Sequence, residues 1–214
     1  MQIILLGLPG AGKGTQAAQL SSATGLAHIT TGEIFRENIR AGTDLGKQAK
    51  PFVEHGKLVP DEITIGMLLE RIAQPDAAAG FMLDGFPRNM QQAEALDSAL
   101  AAEGRCIDRA IYIYASTAEL MRRLTGRWSC PQCGAVYHET NQPPKKAGIC
   151  DNCGSALYQR EDDRPEVVST RLAVNLQNLE PLIAYYKQQG KLVEVDGERD
   201  ADAVAAEIGR LIEG

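Results

Sequence analysis

The chain has 214 residues, 44% of them hydrophobic and 23% charged, and its 22 Lys and Arg against 28 Asp and Glu give a formal charge of −6. That composition excludes disorder, collagen and coiled coil, and the length suffices for one large core carrying small insertions. The acidic balance argues against a dedicated non-specific nucleic-acid binder, which needs a basic face.

In chain order, Gln2–Leu6 reads as the first strand. Its apolar run lacks the basic flank of a signal peptide, and no apolar run in the chain reaches the roughly 18 residues of a membrane span. A cytoplasmic location without a membrane partner is therefore expected. Gly7-Leu8-Pro9-Gly10-Ala11-Gly12-Lys13-Gly14-Thr15 follows at once and opens a helix, the setting a P-loop requires. Its glycines let backbone N–H groups close around phosphate oxygens, the helix N-terminus adds a favourable dipole, and Lys13 supplies a point charge. Gly14 stands where Ser or Thr commonly touches Mg²⁺, so that hydroxyl moves to Thr15.

Leu26–Ile29 reads as the second strand, and Thr30-x-x-Glu33 fits a capping box. Thr31–Val59 is helical without a strand-like run and looks like an insertion. Phe81–Asp84 and Arg109–Tyr114 are further strands, followed by a second capping-box pattern at Ser116-x-x-Glu119. Arg127–Asp163 changes composition altogether and looks like a second insertion. Pro165 opens a long amphipathic helix carrying Val168, Leu172, Leu176, Leu179 and Ile183, which Pro181 should kink or interrupt. Leu192–Asp196 is the last strand. Near-continuous apolar strands alternating with helices predict a parallel α/β sheet covered on both faces.

The chemistry gathers in two groups of residues. Arg36, Arg88, Arg123, Arg127, Arg160 and Arg171 stand near segment junctions or insertions. Planar guanidinium forks neutralise the equatorial oxygens of a phosphoryl group in transfer. Arg88 lies in Asp84-Gly85-Phe86-Pro87-Arg88, at a strand's carboxyl end, where α/β proteins bind ligands. Asp84 suits either ordering of Mg²⁺-bound water or capping of that turn. Gln92 alone reads as a polar residue on an exposed helix.

Cys130-x-x-Cys133 and Cys150-x-x-Cys153, sixteen residues apart, form a zinc-ribbon pattern. Each pair makes a knuckle turn, eased by Gly134 and Gly154, and four thiolates leave no open position, so the metal is structural. Zinc leads over iron, although an S₄ site admits both. Disulfides are disfavoured in a reducing compartment. A metal also supplies the stability that so small an insertion cannot bury for itself. Cys106 reads as a small buried or half-buried hydrophobe, and His28, His55 and His138 as structural or surface residues.

The loop Gly7–Thr15, the segment Thr31-Gly32-Glu33-Ile34-Phe35-Arg36, the turn Gly56-Lys57-Leu58-Val59-Pro60-Asp61 and Asp84–Arg88 with Gln92 resemble adenylate kinases over essentially the whole chain. The resemblance implies a P-loop nucleoside monophosphate kinase fold, a five-stranded parallel sheet flanked by helices with two inserted subdomains. Residues 1–29, 60–125 and 164–214 would form the core, 30–59 the monophosphate-binding insertion and 126–163 a zinc-binding lid. The implied reaction is ATP + AMP = 2 ADP with Mg²⁺ and structural Zn²⁺, in a monomer with no nucleic-acid partner.

By the same resemblance Gly10, Ala11, Gly12, Lys13, Gly14 and Thr15 grip ATP phosphates, while Arg127, Val136 and Tyr137 contact ATP from the lid. Arg199 lies beside the adenine through its backbone carbonyl. Thr31, Arg36, Lys57, Leu58, Val59, Gly85, Phe86, Pro87, Arg88 and Gln92 surround AMP, with the Gln92 amide on the adenine edge. Arg160 and Arg171 clamp phosphates on lid closure, and Lys13, Arg88, Arg123, Arg160 and Arg171 are the catalytic charges. Glu33 stands where Asp is common and Trp128 where a basic residue is frequent. Asp162 and Asp163 either pair with the lid arginines or form a solvated turn. A UMP or CMP kinase, and a P-loop ATPase that binds nucleic acid through its ribbon, are the competing readings.

Overall fold

A computed structural model describes residues 1–213, with side chains through Ile212. The elements in chain order are β1 (Gln2–Leu6), α1 (Lys13–Thr24), β2 (Ala27–Thr30), α2 (Thr31–Ala41), α3 (Asp44–Glu54), α4 (Asp61–Ile72), β3 (Phe81–Asp84), α5 (Met90–Ala102), β4 (Arg109–Tyr114) and α6 (Thr117–Thr125). There follow β5 (Arg127–Ser129), β6 (Val136–His138), α7 (Pro165–Gln188), β7 (Leu192–Asp196) and α8 (Ala201–Glu213). Short 3₁₀ turns lie at Pro75–Ala77 and Glu161–Asp163.

Five strands form one parallel sheet in the order β2-β3-β1-β4-β7. The central strand shows why these runs are continuously apolar: Ile3, Ile4, Leu5 and Leu6 are all 2% exposed or less, as a strand covered on both faces demands. Register places Leu5 opposite Asp84 on β3 and Ile111 on β4. This is the expected α/β architecture. No described helix is long and apolar enough to cross a membrane.

Two satellite cores sit apart from the main one. Phe35, Ala49 and Val59 form the first, within α2, α3 and the turn after them. A Cβ on Gly46 would lie 2.1 Å from the Asn38 carbonyl oxygen, so α2 and α3 meet backbone to backbone there. Cys130, Tyr137, Cys150 and Leu157 form the second, with Trp128 packed against it. β5 and β6 pair antiparallel, Trp128 opposite Tyr137.

Several local expectations need correction. The second strand runs one residue later than Leu26–Ile29, and the Thr30 hydroxyl lies 2.8 Å from His28 Nε2 instead of capping α2. At Ser116 half the capping box forms: its hydroxyl accepts from the Glu119 N–H (3.4 Å), but its own N–H donates to Glu198 (2.7 Å) because Glu119 is engaged by arginines. α7 continues through Pro181 without interruption. Leu176 is 46% exposed, not part of the core-facing stripe, and Cys106 is exposed.

Candidate active site and metal centre

The chain leaves β1 at the point where the sheet order reverses, between β3 and β4, the crevice in which open α/β sheets bind ligands. Gly7 must be glycine, because at φ +144° a Cβ would lie 2.5 Å from the Ile113 carbonyl oxygen. Gly12, also left-handed, is the N-cap of α1, and no described side chain caps that helix, so its first N–H groups are free for an anion. A Cβ on Gly14 would sit 3.3 Å from Asp84 Oδ2. A Ser or Thr here would therefore press on the buried Asp84 carboxylate.

Lys13 Nζ donates to the carbonyls of Gly7 and Leu8, both at 3.0 Å. Burial, with Arg88, Arg171 and Arg127 adding repulsion against the attraction of Asp84, pushes its pKa down to about 8. Burial pushes the Asp84 carboxyl up, but His28, Lys13 and Arg88 outweigh it and hold Asp84 below the usual carboxylate range.

Lys13, Arg36, Arg88, Arg123, Arg127, Arg160 and Arg171 line one cleft of about 1040 Å³, together with Gly10–Thr15, Gly85, Pro87, Val136, Tyr137 and Arg199. Crowding of like charges marks the site. Burial first, then Arg171, brings Arg88 down to about 10; burial, then Arg127 and Arg36, does the same to Arg160. The counter-charges are held close. Arg127 forks onto Asp163 at 2.8 and 2.5 Å, and Arg171 Nη1 reaches the Asp162 carbonyl (2.6 Å) and Asp163 Oδ1 (3.2 Å). Asp162 and Asp163 are 7% and 0% exposed, so this is not a solvated acidic turn. Burial would raise Asp162, yet Arg171, Arg127 and Arg36 prevail and lower it.

A side pocket adjoins this cleft, sharing Arg36, Arg88 and Arg171 with it and adding Thr31, Lys57, Leu58, Val59 and Gln92. At Gly85 (φ +83°) a Cβ would press on Thr31 Oγ1 at 3.0 Å and Arg88 Nη2 at 3.1 Å. The Gly85 carbonyl instead accepts from both, from Thr31 Oγ1 at 2.9 Å and Arg88 Nε at 2.7 Å. Gln92 is 1% exposed, not a surface residue; its Oε1 accepts from the Arg88 N–H (2.8 Å) and its Nε2 donates to Asp61 (2.6 Å). The Phe86 side chain, 1% exposed, belongs to the main core and lines neither cavity. The Phe86–Pro87 peptide is cis.

The four cysteine sulfurs of Cys130, Cys133, Cys150 and Cys153 lie within 4.8 Å of one another. All four are free thiols, with Cys130–Cys153 sulfurs 3.4 Å and Cys133–Cys150 sulfurs 3.5 Å apart, far beyond the roughly 2.05 Å of a disulfide. Gly134 and Gly154, at φ +73° and +75°, close the two knuckles with N–H bonds to the carbonyls of Cys130 and Cys150. Behind the thiols, the Tyr137 hydroxyl lies 3.5 Å from Cys150 Sγ and accepts from the Asp151 N–H at 2.8 Å. That hydroxyl leads the interactions that pull the Cys150 thiol down to about 6. Four converging soft donors with an oriented outer shell fit a tetrahedral S₄ metal.

A family model described as adenylate kinase matches residues 5–191. The chain belongs to the adenylate kinase family. An adenylate kinase of Oceanobacillus iheyensis is 50% identical over 213 residues, covering 100% of this chain and 99% of that one. One of Brevibacillus brevis is 51% identical over 214 residues and the whole of both chains. One of Staphylococcus epidermidis is 50% identical over 208 residues and 97% of each.

In this member of the adenylate kinase family, several cleft residues carry no functional motif, Glu119 showing only as a capping-box position. Glu119, Arg122 and Asn175 line the cavity. Asn175 stands four residues after Arg171, a helical spacing that could have signalled it, whereas Arg122 only adjoins Arg123 and adjacent helix positions face apart. His28 also faces the cleft, 3.9 Å from Asp84 Oδ2, whereas His55 is exposed. The Arg199 side chain pairs with Glu207 on α8.

Proposed function

We propose that this chain catalyses ATP + AMP = 2 ADP, a reversible phosphoryl transfer that depends on Mg²⁺. The observation that carries the reading is the joined pair of cavities: a glycine-rich loop with a half-buried lysine opens one, a side pocket closes the other end, and Arg36, Arg88 and Arg171 line both. A donor nucleotide bound to the loop and an acceptor in the side pocket would place their phosphates against the shared arginines.

In this reading Gly10–Thr15 hold the ATP phosphates, Arg127, Val136, Tyr137 and the backbone of Arg199 hold the rest of ATP, and Thr31, Arg36, Lys57–Val59, Gly85–Arg88 and Gln92 hold AMP. Phe86 contributes backbone alone, its ring being spent on the core. Beyond its bonds with Arg88 and Asp61, the Gln92 amide keeps one N–H on Nε2 and one lone pair on Oε1 for the adenine edge. Mg²⁺ would offset phosphate charge, and the Thr15 hydroxyl and Asp84 carboxylate are the groups suited to hold it and its water. Lys13, Arg88, Arg123, Arg160 and Arg171 align the reacting groups and neutralise charge that grows in the transition state, with no covalent intermediate.

Residues 30–59 serve as the monophosphate-binding insertion, 126–163 as a lid and the remainder as the core. Lid closure keeps water from taking the phosphoryl group. The four cysteines hold a structural metal, zinc by the donor set, that firms the lid. The test is ³¹P NMR of the purified protein with ATP, Mg²⁺ and AMP: ADP forms from both, and UMP or CMP in place of AMP gives little. Nucleic-acid-stimulated phosphate release without AMP would overturn the reading.

A further inference from the structure

Glu119 is a carboxylate placed where phosphates are to bind, on the first turn of α6 and facing the cleft. Alone it would repel them. It is instead saturated with guanidinium: Oε2 accepts from Arg122 Nε at 2.8 Å, and Oε1 accepts from Arg122 Nη2 and from Arg123 Nε, both at 2.7 Å. Arg122 then uses Nη1 on Asn141 Oδ1 (2.9 Å) and Thr140 Oγ1 (3.4 Å), in the loop after β6. Arg123 gives up only Nε; neither of its terminal nitrogens bonds another described residue. That division of donors is what an arginine needs to present a fork to a ligand while its stem is fixed.

We infer that Glu119 is a positioning residue: it holds Arg123 by Nε so that both terminal nitrogens serve the phosphates, and through Arg122 it ties that orientation to the Thr140–Asn141 loop. This inference rests on the role proposed for Arg123. A purely structural account is weak, because Glu119 and Arg122 are 21% and 46% exposed and a helical pair of that kind adds little to stability. The Arg122 fork, then Arg123, also hold the Glu119 carboxyl down to about 2, so it stays charged throughout any working pH.

The test is a double-mutant cycle in the holoenzyme, with kcat and the KM for each nucleotide measured for Glu119→Ala, Arg123→Ala and the pair, and melting followed alongside. Glu119→Ala lowers kcat by about tenfold or more, the scale on which misplaced catalytic groups act, with the KM for AMP unchanged. The double variant matches Arg123→Ala alone, since a residue acting through another has nothing left to position. Glu119→Gln keeps an acceptor oxygen, gives an intermediate kcat and serves in the same cycle should Glu119→Ala not fold. Additive losses, or a normal kcat for Glu119→Ala beside an impaired Arg123→Ala, overturn the inference alone. A normal kcat for Arg123→Ala overturns it together with the role given to Arg123.

Discussion

Lys13 combines a half-buried ammonium with a ring of other cations, and its pKa of about 8 in the folded chain lies below its ordinary 10.5. The protonated form is the one that attracts phosphate, so kcat/KM for ATP, which reports the free enzyme, should fall as pH rises through about 8. Bound phosphates favour the charged lysine, so the corresponding limb of kcat lies at higher pH. A kcat/KM that stays level to pH 10 would refute this. The sign for stability is opposite: between about 8 and 10.5 the unfolded chain binds the extra proton, so stability contributed by this site rises with pH there. Accordingly Lys13→Met should cost about 10²-fold or more in kcat while leaving the melting temperature equal or higher, since it removes a desolvated charge. Arg88→Ala should lose turnover similarly, and steady-state rates with calorimetry check both. Lys13 and Arg88 were legible because each stands at the end of an apolar strand in a recognisable turn. Glu119 was legible only as a capping-box position, since a Glu there, four residues before an Arg, usually marks a helix start or a solvated face.

The strands were legible element by element for a physical reason. Parallel strands buried on both faces leave runs such as Ile3–Leu6 and Phe81–Leu83 with no polar alternation to mistake for a helix. Errors fell where a side chain had a tertiary partner that no local pattern reveals, as with Thr30 turned to His28 and Ser116 served by Glu198. The cysteine element was legible from spacing, and its sole tryptophan makes it testable. Trp128 packs on the small core that includes Cys130 and Cys150, so its fluorescence reports that element alone. A strong chelator should shift Trp128 emission to the red and lower the melting temperature by several degrees, a scale set by about 2–4 °C per kcal/mol for a chain of this size. A chelated protein with unchanged emission and melting would rule out a stabilising metal. The Cys130→Ser, Cys150→Ser double variant should start in the loosened state and ignore the chelator.

At the scale of the whole molecule, two contacts join parts that sequence reading treats as separate. Arg40 on α2 donates to the Pro131 carbonyl in the first cysteine knuckle at 2.5 Å, linking the two insertions directly. The second contact is deeper: Asp163, 0% exposed, pairs with Arg127 on β5 and with Arg171 on α7. One carboxylate thus fastens the entry strand of the proposed lid to a core helix, at the wall of the cleft. Removing it leaves the largely buried Arg127 guanidinium without its partner, while Arg171 keeps Asp162, and breaking a buried pair from one side costs about 3–5 kcal/mol. Asp163→Ala should therefore shift the urea midpoint down, whereas Arg40→Ala, which removes only an exposed arginine from the Pro131 carbonyl, should barely move it. The functional consequence separates fastening from mere stability. With its anchor gone the lid strand holds Arg127 in no fixed place, water reaches the phosphoryl group more often, and the ratio of phosphate released to ADP transferred should rise in Asp163→Ala at a temperature where it is fully folded. A lowered urea midpoint with an unchanged ratio would make Asp163 a stabilising residue alone, and water exclusion would then have to reside elsewhere in the cleft.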